Sequence, residues 1–314
     1  MANLGQMFGA AGGGDTFLGL PRCRDLARLQ ADIALIGAAG CTPYPSVGFY
    51  CAGGPAAIRA AGVAYGAALA HVNFDLGGPV LPAGVSAVDA GDLPQDPADP
   101  PGNRARIFGA ISQILDSGAV PVLIGGDDSV PIPMIEAYAA RGMQVTILQI
   151  DAHIDWCDEV GGERLGLSST MRRVSEMGHV AQIIQVGQRG IGLAREVDVQ
   201  DALAWGVSFV PGGEVAREGV WRAVDLVPEG AEVIICLDVD AFDPAIMPAV
   251  IGRTAGGLSY WQVLELIGGV AEKARIAGMD MVELMPERDI DGQGALLAAQ
   301  FLAGALGVIA RQRL

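Results

Sequence analysis

Asp151-Ala-His153-Ile-Asp155 places three metal-binding side chains within five residues, directly after the apolar run QVTILQI. A strand ending in such a cluster directs carboxylate oxygens and an imidazole to one spot, a donor set suited to divalent cations. The pattern recurs. The run VIICL leads into Asp238-Val-Asp240, followed by Asp243-Pro244, and VPVLI leads into Gly125-Gly126-Asp127-Asp128-Ser129. Carboxylates taken out of water need a cation, because an unpaired buried charge is very costly. The chain has one lysine, Lys273, remote in sequence from all three clusters. Bound divalent metal is the economical expectation.

These clusters need elements to carry them. Short apolar runs at 32–37, 85–91, 119–126, 144–151, 182–188, 207–211, 232–238 and 279–285 read as strands covered on both faces. Helical patterns lie between them at about 54–63, 103–117, 131–141, 193–205, 216–226, 260–276 and 292–310, with Pro55 suited to a first helical turn. The alternation predicts a parallel sheet between helical layers. GGDDS, DAHID, DVDAFDP and ELMPERD each follow the carboxyl end of a predicted strand, where ligands of open α/β sheets bind. Residues 1–30 read as a Gly-rich N-terminal arm and 31–314 as a single domain. The Pro- and Asp-rich stretch 92–103 reads as a surface loop.

Composition narrows the partners. The 314 residues carry a formal charge of −16 and no basic stretch, which argues against a nucleic-acid partner and suits a cationic small substrate. Five cysteines without a CxxC pair predict free thiols and a cytoplasmic setting. The start of the chain has no signal-peptide pattern. The apolar stretch ALLAAQFLAGALGVIA carries Gln300 and two glycines and reads as a buried helix rather than a membrane span.

The segments DAHID, DVDAFDP and GGD-x-S resemble the signatures of the ureohydrolase family (arginase, agmatinase and relatives), with bacterial agmatinase-like proteins the nearest in character. The resemblance runs from GGPAAIRAA at 53–61 through Glu283 to the C-terminal helix. It implies a three-layer α/β/α fold with an eight-stranded, mostly parallel sheet. It also implies two divalent ions, manganese before nickel, and a metal-bridging hydroxide that attacks a guanidinium carbon to release urea. Carried over, Asp151 and Asp238 bridge the ions, His153 and Asp240 complete one shell, and Asp155 joins residue 128 at the other. Glu283 grips the guanidinium, as a carboxylate can do bidentately. Asp155 and Glu283 are thus the catalytic candidates. The family also implies trimeric or hexameric assembly, as a homo- or hetero-oligomer.

Several positions depart from the family pattern. The family's GGDHS has a histidine ligand where this chain has Asp128, which makes the shell more negative and predicts an alkaline activity optimum. The family's shuttle histidine is missing from Gly166–Arg173, where Ser168 and Ser169 are the candidates to hold substrate or water. The aromatic loop containing Tyr44, Phe49 and Tyr50 replaces a more basic one and reads chiefly as packing. Arg253 lies in a loop that either borders the pocket, where it would pair with an acidic substrate tail or with Glu283, or stands exposed at the surface. These losses open an alternative, a metal-poor partner subunit of a heteromer such as metformin hydrolase. A deacetylase of similar fold uses one zinc and a pocket histidine pair, which a chain with only His71, His153 and His179 can hardly supply.

Overall fold

The computed structural model describes residues 15–192 and 194–314. Eight strands form one sheet: β1 Ile33–Ala38, β2 Ala87–Asp92, β3 Val120–Gly125, β4 Val145–Ile150, β5 Val180–Val186, β6 Ser208–Val210, β7 Glu232–Asp238 and β8 Arg275–Val282. Their order is β2-β1-β3-β8-β7-β4-β5-β6, and every pairing is parallel.

Side chains along these strands alternate between two cores. Ile33, Leu35, Val122, Ile124, Leu148 and Ile150 enter one; Ala34, Ile36, Leu123, Ile147, Ile234 and Cys236 enter the other. That alternation is why the strand sequences are apolar almost throughout.

Helices cover both faces. The first core is closed by α1 Gly54–Gly62, α6 Gly212–Glu218, α7 Trp221–Leu226, α8 Tyr260–Lys273 and α9 Gln293–Arg311. The second is closed by α2 Pro100–Asp116, α3 Pro131–Ala139, α4 Thr170–Ser175 and α5 Glu196–Trp205. The result is a three-layer α/β/α architecture. Helix α9 is long and apolar enough to cross a bilayer, but 67% of its apolar window is buried here. It serves as a core helix, with Phe301 edge-on to Phe242 at 5.2 Å.

Several boundaries differ from the sequence reading: the helix expected over 216–226 is two, α6 and α7, helix α2 begins at Pro100 inside the stretch read as a surface loop, and the α8–β8 junction is displaced. Strand β8 begins at Arg275 rather than 279, and α8 ends at Lys273 rather than 276. Ala274 is already extended, and Arg275 to Gly278 pair with Glu232 to Ile234 of β7. No Gly or Pro marks that junction, so helix and strand abut in one apolar run. Glu283 consequently lies just beyond its strand. Helix α4, in the segment lacking the shuttle histidine, is too short for a periodic signal. Of the expected arm, residues 1–14 lie outside the described residues, while Phe17, Leu18 and Leu20 are buried in the first core.

Candidate metal centre

Strands β3, β8, β7 and β4 are consecutive neighbours at the middle of the sheet. Their carboxyl ends carry Asp127 and Asp128, Glu283, Asp238 and Asp240, and the Asp151–Asp155 segment respectively. Close approach at this edge requires glycine at 126. A Cβ there would lie 1.8 Å from the Ala39 carbonyl oxygen. The Gly126 N–H donates to Ala38, and its carbonyl accepts from the Glu283 N–H at 2.7 Å.

The six expected ligands converge into two groups. Asp151, His153, Asp238 and Asp240 each offer a donor atom within 4.8 Å of the others, and so do Asp128, Asp151 and Asp155. Asp151 belongs to both groups. Asp238, expected to be shared as well, reaches only the first.

The first group is internally bonded. His153 Nδ1 lies 3.0 Å from Asp240 Oδ2 and 3.3 Å from Asp151 Oδ1. The Asp240 N–H donates to Asp238 Oδ1 at 2.7 Å, and the Ala152 N–H to Asp240 Oδ1 at 3.1 Å. The second group is all carboxylate. Asp128 is buried, and its Oδ2 has no hydrogen-bond partner. Asp155 holds a backbone φ of 44° and Glu283 one of 71°, two of only four non-glycine positive-φ residues among those described. Such strain concentrates where the fold over-determines a functional geometry.

Electrostatics report a deficit of positive charge. Burial opposes a charged His153, but its bonds to Asp151 and Asp240 push its pKa up to about 12. Burial also works against Asp151, yet the same imidazole lowers it to about 2. Burial, reinforced by the neighbouring acids, pushes Asp128, Asp155 and Asp238 well above the carboxylate range, and Asp240 rises with them. Five carboxylates, one imidazole and an orphaned buried oxygen fit a pair of divalent cations. The protein supplies one cation of its own that the sequence reading overlooked. Arg189, following β5, donates to the carbonyls of Asp240, Phe242 and Thr254 at 2.7, 3.2 and 2.9 Å. It fixes the loop that carries Asp240.

Glu283 sits beside the second group. Its Oε1 accepts the Asp128 N–H at 2.8 Å, and its Oε2 accepts the Tyr50 hydroxyl at 2.6 Å. Burial, together with the charge of Asp127, raises it to about 8. Tyr50 therefore does more than pack. Tyr44 is buried, its hydroxyl accepting the Ser168 N–H at 3.2 Å. A cavity of about 490 Å³ opens against His153 and Asp155, lined also by Cys157, Glu159, Ser168 and Asp198. The two serines separate here: Ser168 lines the cavity, whereas Ser169 is fully buried with its hydroxyl unpartnered. Arg253 turns away from Glu283 and donates to the carbonyls of Pro248 and Arg288. The five cysteines are all free.

Comparison with known proteins agrees with this architecture. The chain is 31% identical over 274 residues to the mitochondrial agmatinase of Gallus gallus, a match covering 82% of this chain and 75% of that one. It is 32% identical over 212 residues to the mitochondrial guanidino acid hydrolase of Homo sapiens, covering 63% of this chain and 57% of that protein. Among solved structures, proclavaminate amidino hydrolase from Streptomyces clavuligerus superposes with a TM-score of 0.79 at 27% identity, covering 96% of this chain and 98% of that one. A hypothetical agmatinase from Burkholderia thailandensis shares the fold with a TM-score of 0.82 at 24% identity, over 97% and 93% of the two chains. None of these matches points to a heteromeric partner subunit. The arginase family profile spans residues 31–307, and the chain belongs to the arginase family.

Proposed function

We propose that this protein is a binuclear metal-dependent ureohydrolase, agmatinase-like, that cleaves a small guanidine compound to urea and an amine. The observation that carries the reading is the convergence of Asp128, Asp151, His153, Asp155, Asp238 and Asp240 into two donor groups joined through Asp151. Two divalent ions, manganese before nickel, would supply a nucleophilic hydroxide at a pH far below the pKa of bulk water and stabilise developing negative charge. Asp151 would be the shared ligand, with His153, Asp238 and Asp240 completing one site and Asp128 and Asp155 the other.

The remaining residues handle the substrate. Glu283 presents a buried carboxyl to the guanidinium. Raised to about 8, it holds a proton at neutral pH until a cation displaces it. Oε1 accepts only the Asp128 N–H and keeps a lone pair for the guanidinium, whereas Oε2 already accepts from the Tyr50 hydroxyl and, at 3.7 Å, from the Cys51 thiol. Ser168, on the cavity wall, holds water where relatives carry a shuttle histidine. The names of relatives point to agmatine or a guanidino acid as the substrate class.

The test uses protein expressed alone. Elemental analysis should find two equivalents of manganese or nickel per chain, with urea released from agmatine or 4-guanidinobutyrate. At most one equivalent, with urea release appearing only after a second polypeptide is added, would overturn this proposal.

A further inference from the structure

Beneath the candidate centre, one row of paired residues crosses the middle of the sheet. Leu123 on β3 pairs with Asp280 on β8, Asp280 with Cys236 on β7, Cys236 with Gln149 on β4, and Gln149 with Gln185 on β5. Neighbours in such a row share a face, here that of the second core. Four consecutive members are polar or titratable in a layer otherwise built from aliphatic side chains. Buried polar groups are costly there unless bonded.

Gln149 is 1% exposed, and its side chain is fully committed. Its Nε2 donates to Asp151 Oδ2 at 2.8 Å and to Asp155 Oδ2 at 2.6 Å. Its Oε1 accepts from Gln185 Nε2, which also donates to the Ile154 carbonyl at 2.8 Å. The Gln185 donor fixes the orientation of the Gln149 amide, because the flipped form would set the oxygen against two carboxylates.

The two carboxylates depend on this amide unequally. Asp151 has further support, since its Oδ1 accepts the His153 N–H at 2.6 Å. Among the described residues, the Asp155 carboxylate accepts from Gln149 alone, and it stands on a strained backbone. We propose that Gln149, locked by Gln185, is a positioning residue for the Asp128–Asp151–Asp155 group, on which the second ion depends and the first does not. The inference rests on the binuclear reading.

The test titrates Mn²⁺ into the metal-free full-length protein by calorimetry, alongside thermal unfolding of the same metal-free samples. Gln149→Leu keeps a similar volume and removes both donors. It should weaken the second equivalent roughly 10–100-fold, the usual cost of losing a group that orients a ligand, and leave the first within about threefold. Gln185→Leu frees the amide without deleting it and should give a smaller loss in the same direction. It carries the test alone if Gln149→Leu fails to fold. Equal weakening of both equivalents, tracking a lower melting temperature, would reduce Gln149 to a packing role and overturn the inference, as would unchanged binding of both. If the unsubstituted protein takes up fewer than two equivalents, the binuclear reading falls and the inference falls with it. Two equivalents that ignore Gln149 defeat the inference alone.

Discussion

The Asp151–His153–Asp238–Asp240 group and the Asp128–Asp151–Asp155 group share a sheet edge and one carboxylate, yet they are built differently. In the first, an imidazole stands between two acids, and backbone N–H groups occupy further oxygens. In the second, three acids face one another, one buried oxygen has no partner, and one residue carries a left-handed backbone. The chain's departure from the family motif, Asp128 in place of histidine, falls in the second group. One group is therefore largely settled by the protein's own hydrogen bonds, while the other would lean on a bound ion and on the amide beneath it.

The largest expected effect comes from the residue common to both. Asp151→Asn should remove both ions and lower urea release by about 10³-fold or more, as when one member of a catalytic unit is lost. Survival of either metal equivalent in the variant would show that the groups are not joined through Asp151.

A smaller effect distinguishes them. Asp128→His removes one negative charge from the second group only. It should tighten the second equivalent and move the acid limb of the pH–rate profile down by about one unit, the scale set by a neighbouring charge. The unsubstituted enzyme should then have its optimum on the alkaline side. An optimum below neutrality, or a variant whose first equivalent responds more than its second, would contradict the contrast.

The smallest effect is on stability without metal. In the native state burial and the neighbouring acids hold Asp128, Asp155 and Asp238 well above the carboxylate range and Glu283 at about 8, so these groups keep protons that the unfolded chain releases. His153, raised to about 12, adds stability that is complete below its ordinary value of 6.5 and fades as the pH climbs. Asp151, lowered to about 2, is ionised in both states from pH 5 to 8 and contributes a constant. Where the native state binds more protons than the unfolded one, stability falls as pH rises. Calorimetric melting of metal-free protein should therefore drop between pH 5 and 8, by roughly 2–4 °C for each kcal/mol lost, and added Mn²⁺ should reverse the trend. A flat or rising melting temperature would mean that the acids are already compensated without ions.

Much of this was legible in the chain itself, for a local reason. A strand ending in DAHID or DVD declares both its direction and its donors, and a parallel sheet brings such ends to one edge. The eight apolar runs gave the sheet because burial on both faces leaves no other pattern. Contacts set by register were hidden. Gln149 and Gln185 lie 36 residues apart, and only the pairing of β4 with β5 places them side by side. Tyr50 meets Glu283 across 233 residues of chain, and nothing near either one announces the other. Arg189 escaped notice because its guanidinium serves carbonyls, which leave no charge pattern to read. The start of β8 was obscured by an apolar junction without a break.

Asp155 and Glu283 also limit how far the enzyme can be hardened. At a left-handed backbone position, glycine is the ordinary route to a more robust protein. Here it would erase the proposed metal ligand in one case and the proposed guanidinium acceptor in the other. Selection for heat resistance and selection for turnover should pull in opposite directions at these two joints, and tougher descendants of this chain should gain their robustness elsewhere.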